Sequence, residues 1–214
     1  MKRKISRRIK SPIVILLFGM VLFFSGCAKN MEKEMYIEVA QLTEKEQQIA
    51  SLLGAGSDHL LFDFKVDDQV QSMSVNTYQL IDGKWEMVSG GARVFDENMG
   101  MLALGFDNLA EGLRVALQSE KHNGADKYET ELQEKEGSIS RATISLRDKT
   151  FIEYEKEIPL VVQVSTSKNE VRTLTLNDFY TPERYVEEDY DYVYAIAVTF
   201  SQKTVNELEE KEEG

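Results

Sequence analysis

From Leu60 the chain alternates between apolar and polar positions. Leu60, Phe62, Phe64 and Val66 share one side, and Asp63 and Lys65 fall on the other. A period of two marks a strand with one face buried. Residues 71–81 continue the pattern, with an apolar face that switches near Asn76 and Thr77, as a β-bulge would make it do. Asp82-Gly83 supplies the positive-φ pair of a tight hairpin, and Trp85 and Met87 share a face of the returning strand, residues 84–89. Gly90-Gly91 is read as the end of that strand. Further strands are predicted over 92–95, 100–106, 112–119, 128–133, 140–147, 158–165 and 171–176, with the polar stretch 121–126 as a midpoint loop. Residues 177–191 read as irregular and acidic, with Pro182 unable to donate to a ladder.

Residues 192–200 are the most informative. Tyr192, Tyr194, Ile196, Val198 and Phe200 form one face, and Val193, Ala195, Ala197 and Thr199 the other. No charge interrupts either face, so this strand is predicted to be central and covered on both sides. A helical period occurs once. Thr43-Glu44-Lys45-Glu46 is a capping box, Ile49, Leu52 and Leu53 follow at helical spacing, and Gly54 stops a helix over 44–53. Residues 35–39 fit a first strand or a helical lead-in. The tail from Asn206 is too charged to pack and is expected to be disordered. The pattern predicts an all-β chain: an antiparallel β-sandwich, or a related barrel, with one short N-terminal helix, spanning residues 43–205 and followed by an acidic tail over 206–214.

The first residues follow another rule. Lys2, Arg3, Lys4, Arg7, Arg8 and Lys10 precede twelve apolar residues, 13–24. A spanning helix needs roughly 20 such residues, so this run fits the core of an export signal. Ser6-Arg7-Arg8 is followed by Ile9-Lys10 rather than an apolar pair, which favours ordinary Sec export over the twin-arginine route. Phe24-Ser25-Gly26-Cys27 then places two small residues before the only cysteine of the chain.

That motif resembles the lipobox of bacterial lipoproteins, with Phe24 where the family usually has Leu. The resemblance implies that the Cys27 thiol receives a diacylglycerol and that the signal, residues 1–26, is removed. Residues 27–42 would then be the lipidated cysteine and its tether. It also implies a location on the outer face of the cell membrane, held by long acyl chains of the palmitate kind, each buried CH₂ being worth about 0.8 kcal/mol. The body is faintly similar, in Phe62-Asp63-Phe64, Asp82-Gly83-x-Trp85 and its late aromatic-rich strand, to uncharacterised lipoproteins of Gram-positive bacteria, which brings no activity with it.

Charge narrows the partners. Without the six cations of the signal, 19 Lys and Arg face 37 Asp and Glu, a net charge of −18. Nucleic acid needs a basic footprint, so it is excluded, and an anionic lipid surface repels such a body. With Cys27 committed to lipid, the body has no thiol for disulfides or thiol catalysis.

Chemistry-bearing motifs are sparse. The two histidines, His59 and His122, lie far apart and read as turn residues, which rules out a His-rich zinc site. There is no G-x-S-x-G elbow and no glycine-rich phosphate loop. Asp96-Glu97-Asn98 and Glu187-Glu188-Asp189-Tyr190-Asp191 are candidate calcium loops, neither with EF-hand spacing, and both read as solvated turns. Trp85, Tyr180, Tyr185 and Tyr190 read as core or hairpin residues that could also stack on a ligand. The expectation is therefore a lipid-anchored extracytoplasmic module that binds a protein or an envelope component, without metal or cofactor. The alternative is an envelope hydrolase using two carboxylates about 5–10 Å apart.

Overall fold

The computed structural model describes residues 34–52, 60–130, 132, 134, 140–168, 171 and 175–212, with side chains omitted for 49–52 and 209–212. The lipobox and His59 lie outside them. Among the described residues, eleven strands form two open antiparallel sheets packed as a sandwich. The six-stranded sheet holds β1 (Tyr36–Val39), β2 (Leu60–Lys65), β5 (Met99–Gly105), β6 (Gly112–Gln118), β7 (Asn123–Glu129) and β9 (Thr150–Phe151), in the order β7-β6-β5-β2-β1-β9. The five-stranded sheet holds β3 (Ser72–Ile81), β4 (Lys84–Val94), β8 (Ser140–Ser145), β10 (Ile158–Thr166) and β11 (Tyr192–Ser201), in the order β4-β3-β11-β10-β8.

Alternation decides what lies between the sheets. Phe62 and Phe64 of β2, Leu102 and Leu104 of β5, and Leu113, Val115 and Leu117 of β6 meet Tyr194, Ile196, Val198 and Phe200 of β11 in one core. Phe64 packs against Phe95 and Phe200, with ring centroids 5.2 Å apart in each case. β11 is central, between β3 and β10, and its second face is buried too. Val193, Ala195 and Ala197 join Val162 and Val164 of β10 and Tyr78 of β3 in a second cluster on the outer side of this sheet.

The cover over that outer side is the stretch read as irregular. It contains a 3-10 turn (Leu176–Tyr180) and the short helix α2 (Glu183–Glu187), and it buries Phe179 and Tyr185. Of the strand expected over 171–176, residues 172–174 lie outside the described residues; Val171 and Thr175 have no regular structure and Leu176 opens the 3-10 turn.

Helix α1 (Glu44–Leu52) begins as the capping box requires. The Thr43 amide donates to Glu46 Oε2 (2.7 Å), and the Glu46 amide donates to Thr43 Oγ1 (3.4 Å). The same device starts α3 (Val205–Glu212), where the Thr204 amide donates to Glu207 Oε2 (2.8 Å) and the Glu207 amide to Thr204 Oγ1 (3.4 Å). The acidic tail is therefore helical through residue 212, against the expected disorder, because its first turn is capped and carries an acid at the positive end of the helix. Among the described residues the single predicted helix becomes three.

Two polar stretches are also strands. β7 begins within the supposed loop 121–126 and pairs with β6 from Asn123↔Gln118 onward. It is the edge of its sheet, so only Tyr128 needs to face the core, and polar residues suffice elsewhere. β4 runs through Gly90-Gly91 without a break. Its extra residue is Val88, since Thr77 pairs with Ser89 and Tyr78 with Met87. The bulge thus sits on β4, while the switch of apolar face along β3 reflects which side of the sheet is covered: Met73 and Val75 face the inter-sheet core, and Tyr78 faces the outer cluster.

Gly90 has φ +146, and a Cβ there would lie 2.4 Å from Asn76 Oδ1 and 2.6 Å from the Val75 carbonyl oxygen. Beyond it β4 seals one side of the sandwich against β7. Arg93 pairs with Asp126, and Ser89 Oγ donates to the Glu129 carbonyl (3.2 Å). Because the clash at Gly90 is with backbone and the φ disfavours L residues, Gly90→Ala should cost about 2 kcal/mol or more. Urea denaturation checks this; an unchanged midpoint would contradict the crowding.

Candidate functional site

The aromatics singled out in the sequence come together on the outer side of the five-stranded sheet. Trp85 of β4 stacks on Phe179 (centroids 5.1 Å apart, planes 22° apart) and meets Tyr185 edge-on at 5.8 Å. The Trp85 indole Nε1–H donates to the Phe179 carbonyl (2.8 Å), tying strand to cover. Tyr180 lies edge-on to Phe179 at 5.4 Å and donates its hydroxyl to the Glu157 carbonyl (3.0 Å). Tyr190 is half-buried beside the same cluster. Asp178, itself buried, fixes the cover: its carboxylate accepts the Thr175 amide (2.8 Å) and pairs with Arg184.

Part of this cluster reaches solvent. Tyr180 is 51% exposed, Val186 54% and Met87 51%. Each neighbours the Trp85 cluster: Met87 lies two residues from Trp85 on the same strand face, Tyr180 abuts Phe179, and Val186 follows Tyr185, which meets Trp85 edge-on. Large exposed apolar side chains grouped in this way mark interaction surfaces. Close by in the chain, Glu157, Glu183, Glu187 and Glu188 outnumber Lys156 and Arg184, so this apolar platform sits among acidic segments. Val186 and Phe179 were not recognised in the sequence, although an apolar pair flanking Tyr180 and Tyr185 in a charged stretch was a readable sign.

A second cluster joins stretches read separately. His122, in the β6–β7 turn, meets the β4–β5 turn: its Nδ1 is 3.0 Å from Glu97 Oε1 and 3.7 Å from Asp96 Oδ1. Glu97 is buried, and its carboxylate accepts Ser119 Oγ (2.7 Å), the Glu120 amide (3.0 Å) and the Lys121 amide (3.1 Å). The Ser119 hydroxyl first, then His122 and the two amides, hold its carboxyl down to about 2 against the cost of burial. Asn98 belongs elsewhere, donating its side-chain amide to the Val66 carbonyl (3.3 Å).

A third group lies between the sheets. Gln163 of β10 accepts the Leu109 amide (2.9 Å) and donates to the Asp107 carbonyl and Thr143 Oγ1 (3.3 Å each). Thr77 Oγ1 and Ser165 Oγ, elsewhere in the same sheet, are buried without a partner. Burial, and next the nearby Glu134 carboxylate, push the Tyr194 phenol up. Unpaired polar atoms in an enclosed interior are what buried water satisfies. The lone glutamine in the run IPLVVQVS was the one sequence sign of this feature.

The acidic loop 187–191 is tied into the fold: Asp189 pairs with Lys168 (2.9 Å), and Asp191 accepts the Ser167 amide (2.5 Å). Among the described residues, no helix is long and apolar enough to cross a membrane. No family model matches the chain, and neither does any curated protein or solved structure.

The low Glu97 carboxyl has a consequence for stability. Folding holds this group below its ordinary value of 4.5, so its contribution is full above that pH and is lost as pH falls toward about 2. Glu97→Gln should therefore be less stable than the natural protein at neutral pH, with the gap closing between about pH 4.5 and 2. Chemical denaturation of both across that window measures it; a gap independent of pH would refute the account.

Proposed function

We propose that this protein is a lipid-anchored extracytoplasmic binding module whose platform of Trp85, Met87, Tyr180 and Val186 receives a protein partner. The observation that carries the reading is the group of exposed apolar side chains beside the Trp85–Phe179–Tyr185 cluster, in acidic segments of the chain. The complementary partner presents an apolar or aromatic side chain surrounded by lysines or arginines, since interface centres are apolar and desolvated while the rim sets charge complementarity. The anchor is the lipidated Cys27, on the resemblance of Phe24-Ser25-Gly26-Cys27 to a lipobox. An acidic body is repelled by an anionic bilayer, so acyl chains must hold it while the body stands off the surface.

The platform is tested by affinity capture from the cell's own membranes, comparing the natural chain with Met87→Lys and Val186→Lys. Both side chains are more than half exposed, so the fold should survive. The natural chain should retain a reproducible partner that both variants lose by roughly tenfold or more, the loss ascribed to central interface positions. A partner held equally by the variants would exclude the platform.

The anchor is tested at its first atom. Mass spectrometry of the mature N-terminus should find Cys27 carrying a diacylglycerol thioether. Cys27→Ser removes the thiol, so processing and acyl labelling should fail, while the melting temperature of the folded body stays the same. An unmodified Cys27, or a mature chain that starts elsewhere, would refute the assignment.

A further inference from the structure

We infer that Asp96, Glu97 and His122 form a surface site for a divalent transition-metal ion of the zinc class. The three side chains offer one imidazole nitrogen and two carboxylate oxygens, all within 4.8 Å of one another. Zinc takes such ligands at about 2.0–2.2 Å in tetrahedral geometry, which places neighbouring ligand atoms about 3.3 Å apart. The two measured edges from His122 Nδ1, 3.0 Å to Glu97 and 3.7 Å to Asp96, bracket that value. Calcium fits less well: it needs six to eight oxygens, and imidazole is a ligand for softer ions.

The site is unevenly prepared. Glu97 is held rigid and ionised by Ser119 and two backbone amides, so one ligand is fixed before any ion arrives. The oxygen nearest Nδ1 is Glu97 Oε1, which also accepts Ser119 Oγ and the Lys121 amide, so an ion there shares it with them. Asp96 and His122 are 61% and 62% exposed, so the ion has an open approach and its remaining position faces water. His122 Nδ1 lies 3.0 Å from Glu97 Oε1, within reach of an ion that both would ligate. Metal ligands bind in their deprotonated forms, so affinity falls as pH falls.

The test is a titration of the full-length chain in detergent with zinc(II) alone, by calorimetry, with cobalt(II) absorption as a second readout. His122→Ala, Asp96→Asn and, as a control, His59→Ala are titrated alongside. The expected result is one saturable site, weaker binding at mildly acid pH and a visible cobalt band. Affinity should fall roughly tenfold or more in His122→Ala and in Asp96→Asn. It should stay unchanged in His59→Ala. Both altered side chains of the site are largely exposed, so the variants should melt as the natural chain does without metal. No saturable binding, or equal binding by His122→Ala and Asp96→Asn, would overturn the site and assign any bound zinc to other surface acids.

Discussion

Everything on the outer side of the five-stranded sheet depends on one constraint: β10 and β11 are apolar on both faces. A two-sheet sandwich buries only one face of each sheet. Here Val162, Val164, Val193, Ala195 and Ala197 would otherwise meet water, and at about 25 cal/mol per Å² their exposure would be a substantial penalty. The chain returns over them with residues 176–187. Small alanines at 195 and 197 belong to the same cluster as the rings of Phe179 and Tyr185. The cover in turn needs its own polar groups satisfied, and Asp178 does much of that through the Thr175 amide and Arg184. One group is left over: the Tyr185 hydroxyl is buried without a partner, and burial pushes its phenol well up. An unpaired buried hydroxyl costs about 1–3 kcal/mol, which the ring's own burial offsets.

The same cover explains why an apolar platform exists at all. A stretch as short as residues 176–187 cannot bury every side chain that it carries. Tyr180 and Val186 lie on its upper side, and Trp85 at the edge of the sheet is only partly roofed. The platform is thus the unfinished rim of a packing solution, and the acidic segments it sits among follow from a chain with 37 acids. Such a surface has two separable properties. Charge steers a cationic partner into encounter and is screened by salt, whereas the apolar centre governs how long the complex lasts.

What could be read from the sequence was local. The alternation of β2, the two-faced pattern of β11, the Asp82-Gly83 hairpin with its positive φ angles, and the Thr43 capping box all involve neighbours within a few residues, and each is present. Edge strands and covers were harder. β7 is polar because it is the edge of its sheet and all of it but Tyr128 is exposed, so it carries no hydrophobic period. Gly90 looked like a terminator, yet its missing side chain is what lets β4 run close to Val75 and Asn76. The tail helix was hidden by its charge, although Thr204 and Glu207 repeat the capping box found at Thr43. Nor could periodicity bring Asp96 and Glu97 to His122, about two dozen residues on. That contact exists only because β5 and β6 pair and return the chain to the same end of the sheet.

This last contact ties the candidate metal site to the integrity of the fold. Glu97 closes the turn between β6 and β7 by accepting its amides, so it cannot be removed without loosening that turn. His122 and Asp96 are exposed additions to a group already committed to structure. An ion bound there would add its binding free energy to a turn that is folded without it, in contrast to small domains whose ligands come together only on binding. Because Glu97 is fixed in advance, most of the ordering cost of the site falls on two mobile surface side chains, and each loses only its own rotamer freedom. The physical economy of the site lies in using a structural carboxylate as its first ligand.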